Sequence, residues 1–185
     1  GVQVTVFNQR SVADIFSMMY QVAAMVGKVD QGLQLIAQMQ SNLLLIKEQS
    51  RQLIRRPVVY FEEWDTPNMS CIAWVSELIG IAGGDDCFPE LAAMPLGKGR
   101  IIADPLDIVR RGPDIIFGSW CGKKFRPEHV AARAGWQDVP AVKKNQLFEI
   151  KSPDILQPGP AALTDGVSHM HKIIMAWGEI GRAHV

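Results

Sequence analysis

Hydrophobic residues recur at every third or fourth position in two stretches near the start of the chain. In the first stretch they are Val12, Ile15, Phe16, Met19, Val22, Ala23 and Val26. In the second stretch they are Leu33, Ile36, Met39, Leu43, Ile46 and Leu53. This period is that of one face of an α-helix. It predicts a helix over residues 12–26, capped by Ser11 and ended by Gly27, and one long helix over residues 30–56, ended by Pro57.

Other parts of the chain have the short apolar runs that are typical of β-strands. Alternating residues at 2–7, and apolar runs at 58–61, 114–118 and 147–150, predict four strands. The helices predicted between and after the later strands cover residues 69–81, 104–111, 127–133 and 160–177. Strands that alternate with helices favour an α/β fold, here a Rossmann-like lobe with a mainly parallel sheet and flanking helices.

Charge, cysteine content and histidine spacing exclude several classes of function. The 185 residues include 19 Lys and Arg and 19 Asp and Glu, so the formal net charge is zero. Because nucleic-acid binding requires a basic surface, no nucleic-acid partner is expected. Three cysteines do not form a disulfide framework, and the apolar runs are too short to span a bilayer. His169 and His171 point about 200° apart on a helix, so no metal site is predicted.

Five short segments carry a resemblance to a known family. They are RPVVYFE at 56–62, IGIAGGD at 79–85, RGPDII at 111–116, GW with the later PAVKKNQLF at 135–148, and PGP at 158–160. In this order they resemble the type III, helical-backbone periplasmic substrate-binding proteins of ABC importers, the cobalamin and iron-siderophore family. In that family two α/β lobes are joined by one long helix, and the ligand binds between them.

The resemblance implies a division of the chain. Residues 1–27 would be a remnant of the N-terminal lobe, residues 28–56 the linking helix, residues 57–180 the C-terminal α/β lobe, and residues 181–185 a tail. The strand at the front of the remnant is expected to lack sheet neighbours, and therefore to pair with a second copy in a homodimer or to be disordered. The family also implies a periplasmic or extracytoplasmic location, although no signal segment is present in this sequence, and an ABC permease in the membrane as partner.

In such a fold, ligands bind where loops leave the carboxyl ends of the parallel strands. Residues 62–68, 119–124 and 152–158 are the three loops expected there. Trp64 and Trp120 lie on the first two, and their flat apolar rings suit a large planar ligand such as a corrin. The predicted ligand-binding residues are Trp64, Asp65, Trp120, Cys121, Gly122, Lys123, Asp154, Gln157 and Pro158.

The resemblance thus implies a protein that captures cobalamin or a related metal chelate between two lobes and delivers it to a permease. A ferric siderophore or heme is the alternative ligand, because the predicted loops and their flanks also contain several basic residues. No catalytic residue and no cofactor are predicted. A small thiol enzyme that uses Cys121 is a less favoured alternative, since the sequence identifies neither a base nor an orienting group for it. A module whose loop tryptophans bind another protein is a third.

Two further predictions concern acidic residues and cysteines. Family members dock on their permease through an acidic residue on each lobe. The matching position here is Leu106, so its neighbours Asp104 and Asp107 are the predicted docking residues, although Asp104 also suits the cap of a helix. Cys71 and Cys87 are expected to be buried small hydrophobes, with a disulfide left open.

Overall fold

The computed structural model describes residues 1–182, and its first regular elements are two packed helices. Helix α1 (Val12–Met25) begins at a capping box, in which the Ser11 hydroxyl accepts the N–H of Asp14 and the Asp14 carboxylate accepts the N–H of Ser11. The chain turns at Gly27, whose φ of +68° favours glycine. Helix α2 (Val29–Ser50) follows as one continuous helix. Its buried face consists of Ile36, Met39, Leu43, Ile46 and Ser50.

The sheet has five strands and is mainly parallel. They are β1 (Val58–Asp65), β2 (Asn68–Ser70), β3 (Asp85–Asp86), β4 (Ile115–Gly118) and β5 (Leu147–Glu149). The order is β2-β1-β4-β5, and β3 pairs with the start of β1 on the edge that β2 occupies further along. Strands β3, β1, β4 and β5 are parallel, whereas β2 forms an antiparallel hairpin with the end of β1.

Helices connect the strands and cover both faces of the sheet. They are α3 (Ala73–Ala82), α4 (Pro89–Ala92), α5 (Leu106–Arg111), α6 (Pro127–Ala131), α7 (Pro140–Lys143), α8 (Ser152–Ile155) and α9 (Val167–Arg182). A 3₁₀ turn covers Gly97–Arg100, and a π-helical turn covers Ala162–Gly166 just before α9. Because helices lie between parallel strands, this is the α/β architecture that the sequence pattern predicts.

The core consists of two apolar clusters, one on each face of the sheet. Val59 and Phe61 of β1 belong to a cluster with residues of α2, α3 and α9. Tyr60, between them, belongs to the other cluster, with residues of α5, α6 and α7. This separation follows from the period of two in a strand, which sends successive side chains to opposite faces.

Several element boundaries differ from the sequence prediction. Residues 2–7 form no strand, and Val2, Val4 and Val6 are 91%, 77% and 84% exposed, because no neighbouring strand satisfies their backbone. Helix α2 ends at Ser50 rather than at residue 56. Beyond its end, Arg55 and Arg56 donate hydrogen bonds to the carboxylates of Asp114 and Asp85 in the lobe, which a continued helix would not allow.

The helix predicted over 69–81 begins later, because Met69 lies in β2 and is paired with Trp64. Residues 152–158, predicted as a loop, begin with the short helix α8. Helix α9 reaches Arg182, so residues 181 and 182 are helical and not part of a tail. The rest of the predicted tail, residues 183–185, lies outside the described residues.

Between residues 1 and 182, none of the helices combines the length and the apolar character that crossing a membrane requires.

Candidate ligand-binding site

The carboxyl ends of β1, β4 and β5 lie side by side, because the three strands are parallel neighbours. The segments that follow β4 and β5 line an open cavity of about 490 Å³. Its lining consists of Trp120, Gly122, Lys123, Lys124, Glu149, Ile150, Lys151, Ser152 and Pro153. This volume is in the range of small-molecule sites. Three lysines against one glutamate make the lining basic, and Trp120 adds aromatic surface.

Lys123 connects this cavity to the end of β1. Its Nζ atom lies 2.5 Å from Oδ1 of Asp65, 4.4 Å from the ring centroid of Trp64 and 5.5 Å from that of Trp120. These are ion-pair and cation–π distances. Trp64 and Trp120 therefore lie on the same side of the molecule, close enough to contact one ammonium group.

Trp64 reaches this position because β1 is irregular at its end. The pairing register of β1 with β2 shifts between Glu62 and Trp64, which changes the direction of the side chains beyond the shift. The indole N–H of Trp64 then donates to the carbonyl oxygen of Thr66 at 3.0 Å. The hairpin, rather than a flexible loop, thus holds Trp64 in place.

A buried carboxylate fixes the second tryptophan. Glu62 has 0% exposure, and its Oε1 accepts the indole N–H of Trp120 at 3.0 Å. The guanidinium of Arg133 donates to both Glu62 oxygens, at 2.6 and 2.8 Å. Tyr60 and Asn68 donate to Oε2 at 3.1 and 2.9 Å. A buried charge with a bidentate arginine and three further donors is fully paired.

The same contacts shift the pKa of two neighbours of Glu62. Burial lowers the pKa of Arg133, but its hydrogen bonds and charge interaction with Glu62 outweigh burial, so the pKa is raised overall. Burial, with the Glu62 charge as a second cause, raises the pKa of Tyr60 well above its ordinary value. Arg133 is therefore cationic and Tyr60 neutral, which keeps the donors to Glu62 in place.

The predicted ligand-binding residues fall into three groups. Trp120, Gly122 and Lys123 line the cavity, Trp64 and Asp65 border it through Lys123, and Cys121 is exposed on the same loop. The other three predicted residues, Asp154, Gln157 and Pro158, lie in or just after α8 and are not among the lining residues.

Sequence reasoning missed two features of this site. Glu149 ends β5 and Ile150 follows it, and both line the cavity, a position that the rule for strand ends would have indicated. The sequence pattern predicts a loop from Glu62 onward, whereas Glu62 is a buried strand residue. The apolar neighbours Tyr60 and Phe61 were the available signal that the strand continued.

The predicted docking residues lie at the start of α5 and are already paired. Oδ1 of Asp104 accepts the N–H of Leu106 at 3.0 Å, as expected of a cap, and its Oδ2 lies 2.9 Å from Arg110. The hydrogen bond from Arg110 lowers the pKa of Asp104. Asp107 lies 3.4 Å from Arg110 and 3.3 Å from Arg111.

The three cysteines are free thiols, so the disulfide left open by the sequence is not formed here. Cys71 and Cys87 are buried as expected, and burial raises the pKa of both thiols, that of Cys87 to about 12. Cys121 is exposed, and within residues 1–182 it has no hydrogen-bond partner that could act as a base. In the same residues no group of three or more His, Cys, Asp or Glu side chains is placed to hold a metal ion.

Comparisons with known proteins agree with this architecture. The profile of the family described as periplasmic binding protein matches residues 1–153. An ABC transporter substrate-binding protein from Listeria monocytogenes EGD-e superposes with a TM-score of 0.74 at 16% identity, over 94% of this chain and 68% of that chain. S. aureus IsdE, solved in complex with heme, gives a TM-score of 0.75 at 14% identity, with coverages of 94% and 68%.

A third solved structure extends the comparison. The periplasmic vitamin B12 binding protein BtuF of Vibrio cholerae superposes with a TM-score of 0.71 at 15% identity, over 96% of this chain and 66% of that chain. At such low identity these structures establish the fold. This chain spans about two-thirds of their length. A comparison with curated proteins gave no match.

The architecture is a mainly parallel α/β lobe that follows a long helix. A cavity at the carboxyl ends of its strands is the usual position of a ligand site in this class of fold. The chain belongs to the periplasmic binding protein family. The resemblance to type III periplasmic binding proteins drawn from five sequence segments is thereby confirmed, as is the α/β fold. The family is one of binding proteins.

Proposed function

We propose that this chain is part of a substrate-binding protein of an ABC importer, and that it binds a metal chelate, cobalamin or a related one, without chemically changing it. The observation that supports this most directly is the cavity at the carboxyl ends of β4 and β5, bordered by Trp64 and Trp120 in a chain of the periplasmic binding protein family. Capture between two lobes and delivery to a permease belong to the same proposal, as does an extracytoplasmic location.

The indole rings support a planar ligand. Trp64 is only half-buried and borders the cavity through Lys123, so a macrocycle in the cavity could stack against its indole ring. Trp120 is buried and held by Glu62, so it contributes the edge of a rigid wall. A corrin or porphyrin is large enough to extend beyond the cavity, which fits a site that a second lobe would close.

The charge of the lining favours a second candidate, an anionic iron chelate such as heme or a ferric siderophore. Lys124 and Lys151 line the cavity, are exposed and make no ion pair within the described residues. Such lysines suit the carboxylates of heme or the negative charge of a siderophore complex. Cobalamin offers these two lysines only its single phosphodiester, and this difference separates the two candidates.

A fluorescence titration tests the proposal. Cyanocobalamin, hemin and a ferric siderophore are each titrated into the protein while tryptophan emission is followed. We expect saturable quenching at one ligand per chain for one of them, weakened at least tenfold by Trp64→Ala because stacking is lost. Arg126→Ala, in the segment that follows β4 but outside the cavity lining, is the control. Linear, unsaturated quenching by all three chelates would contradict the proposal.

We also propose that the start of α5 docks on the permease through Asp104 and Asp107. What supports this is their position at the start of α5, with side-chain exposures of 54% and 34%. Charge reversal of both residues to Lys should reduce chelate uptake in cells several-fold while leaving chelate binding unchanged. Unchanged uptake would remove these residues from the interface and leave them as partners of Arg110 and Arg111.

We also propose that residues 2–7 pair with the same residues of a second copy in a homodimer. Val2, Val4 and Val6 are exposed and alternate, so they could pair with a second copy. Light scattering decides this: a dimer that the substitution of Val4 by Pro converts to a monomer supports the pairing, and a monomeric wild type refutes it.

A further inference from the structure

Trp64, Trp120 and Asp65 together have the composition of a binding site for an organic ammonium. Two indole rings and a carboxylate surround a single point, and the Lys123 ammonium occupies that point at 4.4, 5.5 and 2.5 Å from them. Aromatic faces and a negative charge are the groups that recognise alkylammonium ions in proteins. We call these three residues the aromatic cage.

The cage is held in place without Lys123. Trp64 is fixed by its hydrogen bond to the carbonyl of Thr66, and Trp120 is fixed by its hydrogen bond to Glu62. Both anchors are made by the indole N–H, and Trp120 is held further by edge-on packing against Phe125, with ring centroids 5.0 Å apart. Removing the lysine side chain should therefore empty the cage rather than collapse it.

Unlike the other two lysines of the cavity lining, Lys123 has partners for its ammonium group. Lys124 and Lys151 line the same space, but their ammonium groups make no ion pair within residues 1–182. The Lys123 ammonium is satisfied by a carboxylate and two rings, and its side chain is still 42% exposed. An ammonium group that already has these partners is a poor partner for a ligand. It can still move out of the cage, because its side chain is partly open to solvent.

We propose that Lys123 is a built-in occupant of the aromatic cage, and that a chelate must displace it in order to stack on Trp64. The competition with a chelate rests on the function proposed above, whereas the ammonium specificity of the cage does not. Lys123 therefore lowers the affinity of the protein for a chelate. Its position in the sequence suggests the opposite role, that of a residue that orients the ligand.

The first test compares lysine variants in the titration with cyanocobalamin and hemin. Lys123→Met removes the occupant's charge, and we expect binding three- to tenfold tighter, from the strengths of an exposed cation–π contact and ion pair. Lys123→Arg, which can refill the cage, should bind like the wild type. Lys124→Met removes the same charge from the same cavity without emptying the cage, so it should not tighten binding. Weaker binding by Lys123→Met would overturn the proposal.

The second test uses no chelate. Lys123→Ala leaves a vacant cage, and n-propylammonium, which has the length of the part removed beyond Cβ, is titrated while tryptophan fluorescence is followed. We expect a saturable change in Lys123→Ala that is absent in the wild type and in Lys123→Ala/Trp64→Leu. No saturable change in Lys123→Ala would refute the ammonium specificity. If the wild type binds no chelate, the function proposed above and the competition fail together, and this titration still decides what the cage recognises.

Discussion

At the scale of single residues, Glu62 links parts of the chain that are far apart in sequence. Its carboxylate accepts from Trp120 of the loop after β4, from Arg133 after α6 and from Asn68 of the hairpin. Moving a charged group into the protein interior is costly unless it is paired, so this arrangement persists only while every partner is present. The orientation of the cavity wall at Trp120 thus depends on a residue that does not line the cavity.

Replacing Glu62 with Gln should destabilise the protein strongly. The substitution leaves the Arg133 charge, whose side chain is only 20% exposed, without its partner, and we expect a loss of about 3 kcal/mol in the free energy of unfolding. Urea unfolding measures this. Glu128→Gln is the matched control, since that glutamate is 64% exposed and lies 3.8 Å from Arg126, and it should change stability by less than about 0.5 kcal/mol.

A double variant separates loss of pairing from loss of packing at this position. Glu62→Gln/Arg133→Met also removes the stranded charge, so it should be more stable than Glu62→Gln alone. If the double variant is the less stable of the two, the ion pair does not explain the effect of the single substitution.

The thiols provide a second residue-scale prediction. With the pKa of Cys87 raised to about 12, only about one molecule in ten thousand carries its thiolate at pH 8, and Cys71 is also buried with a raised pKa. Iodoacetamide at pH 8 should therefore modify Cys121 alone in the folded protein and all three cysteines in denaturant. Mass spectrometry of both samples checks this, and rapid labelling of Cys71 in the folded state would contradict the burial described here.

At the scale of elements, the turn that leads into α9 requires glycine at position 166, where there is no room for a side chain. Gly166 ends the π-helical turn Ala162–Gly166 and packs against α8, where a Cβ would clash with the carbonyl oxygen of Asp154 and lie 2.9 Å from Cδ1 of Ile155. Because the clash is with backbone, a rotamer change cannot relieve it. The π turn thus packs against α8, whose first residues, Ser152 and Pro153, line the cavity.

The prediction for this element is that Gly166→Ala lowers the free energy of unfolding by about 1–3 kcal/mol. Gly80→Ala, within α3, is the matched control because a Cβ there meets nothing within 4 Å. It should raise stability by about 0.5–1 kcal/mol, as alanine does in a helix. Urea unfolding of the two variants should give changes of opposite sign, and equal changes would show that the packing at Gly166 has little effect.

At the scale of the whole molecule, the segment between α2 and β1 is fixed to the lobe by two arginines. Arg55 donates to both oxygens of Asp114 at 2.8 and 2.9 Å, and its guanidinium lies 4.7 Å from the ring centroid of Trp177. Arg56 lies 2.6 Å from Asp85. His171 of α9 adds a further link, because its ring nitrogens contact the Ala82 carbonyl and the Gln49 side chain. The long helix and the sheet are therefore connected by polar contacts as well as by the core.

Asp114→Ala should weaken this connection. It removes both bonds to Arg55 and leaves the N–H of Val58, which donates to Asp114 at 3.0 Å, without its acceptor. We expect a loss of about 2 kcal/mol, whereas Arg55→Met should cost less than about 1 kcal/mol because that arginine is 59% exposed. Urea unfolding, with hydrogen exchange at the Val58 amide, measures both. Arg51→Met, in an exposed pair with Glu48, is the control, and an equal loss in the control would contradict the prediction.

The fold was more accessible from the sequence than the site was. The sequence indicated the core face of α2, the parallel strands and the end of α3 near residue 81, because each is set by residues close together in the chain. For the site, the strand-end rule indicated Trp64 and Trp120. It also indicated Asp154, Gln157 and Pro158, which are not among the cavity-lining residues; their role in binding stays a prediction.

By itself, the sequence determined which positions are apolar and at what period, and this is enough to specify an α/β lobe after a long helix, since burial of apolar surface drives folding. Only the tertiary structure decided which charges are paired. Lys123 and Asp65 are 58 residues apart, and Arg133 and Glu62 are 71 apart. Such partners depend on the register of neighbouring strands and on a shift within β1, and no local pattern encodes either.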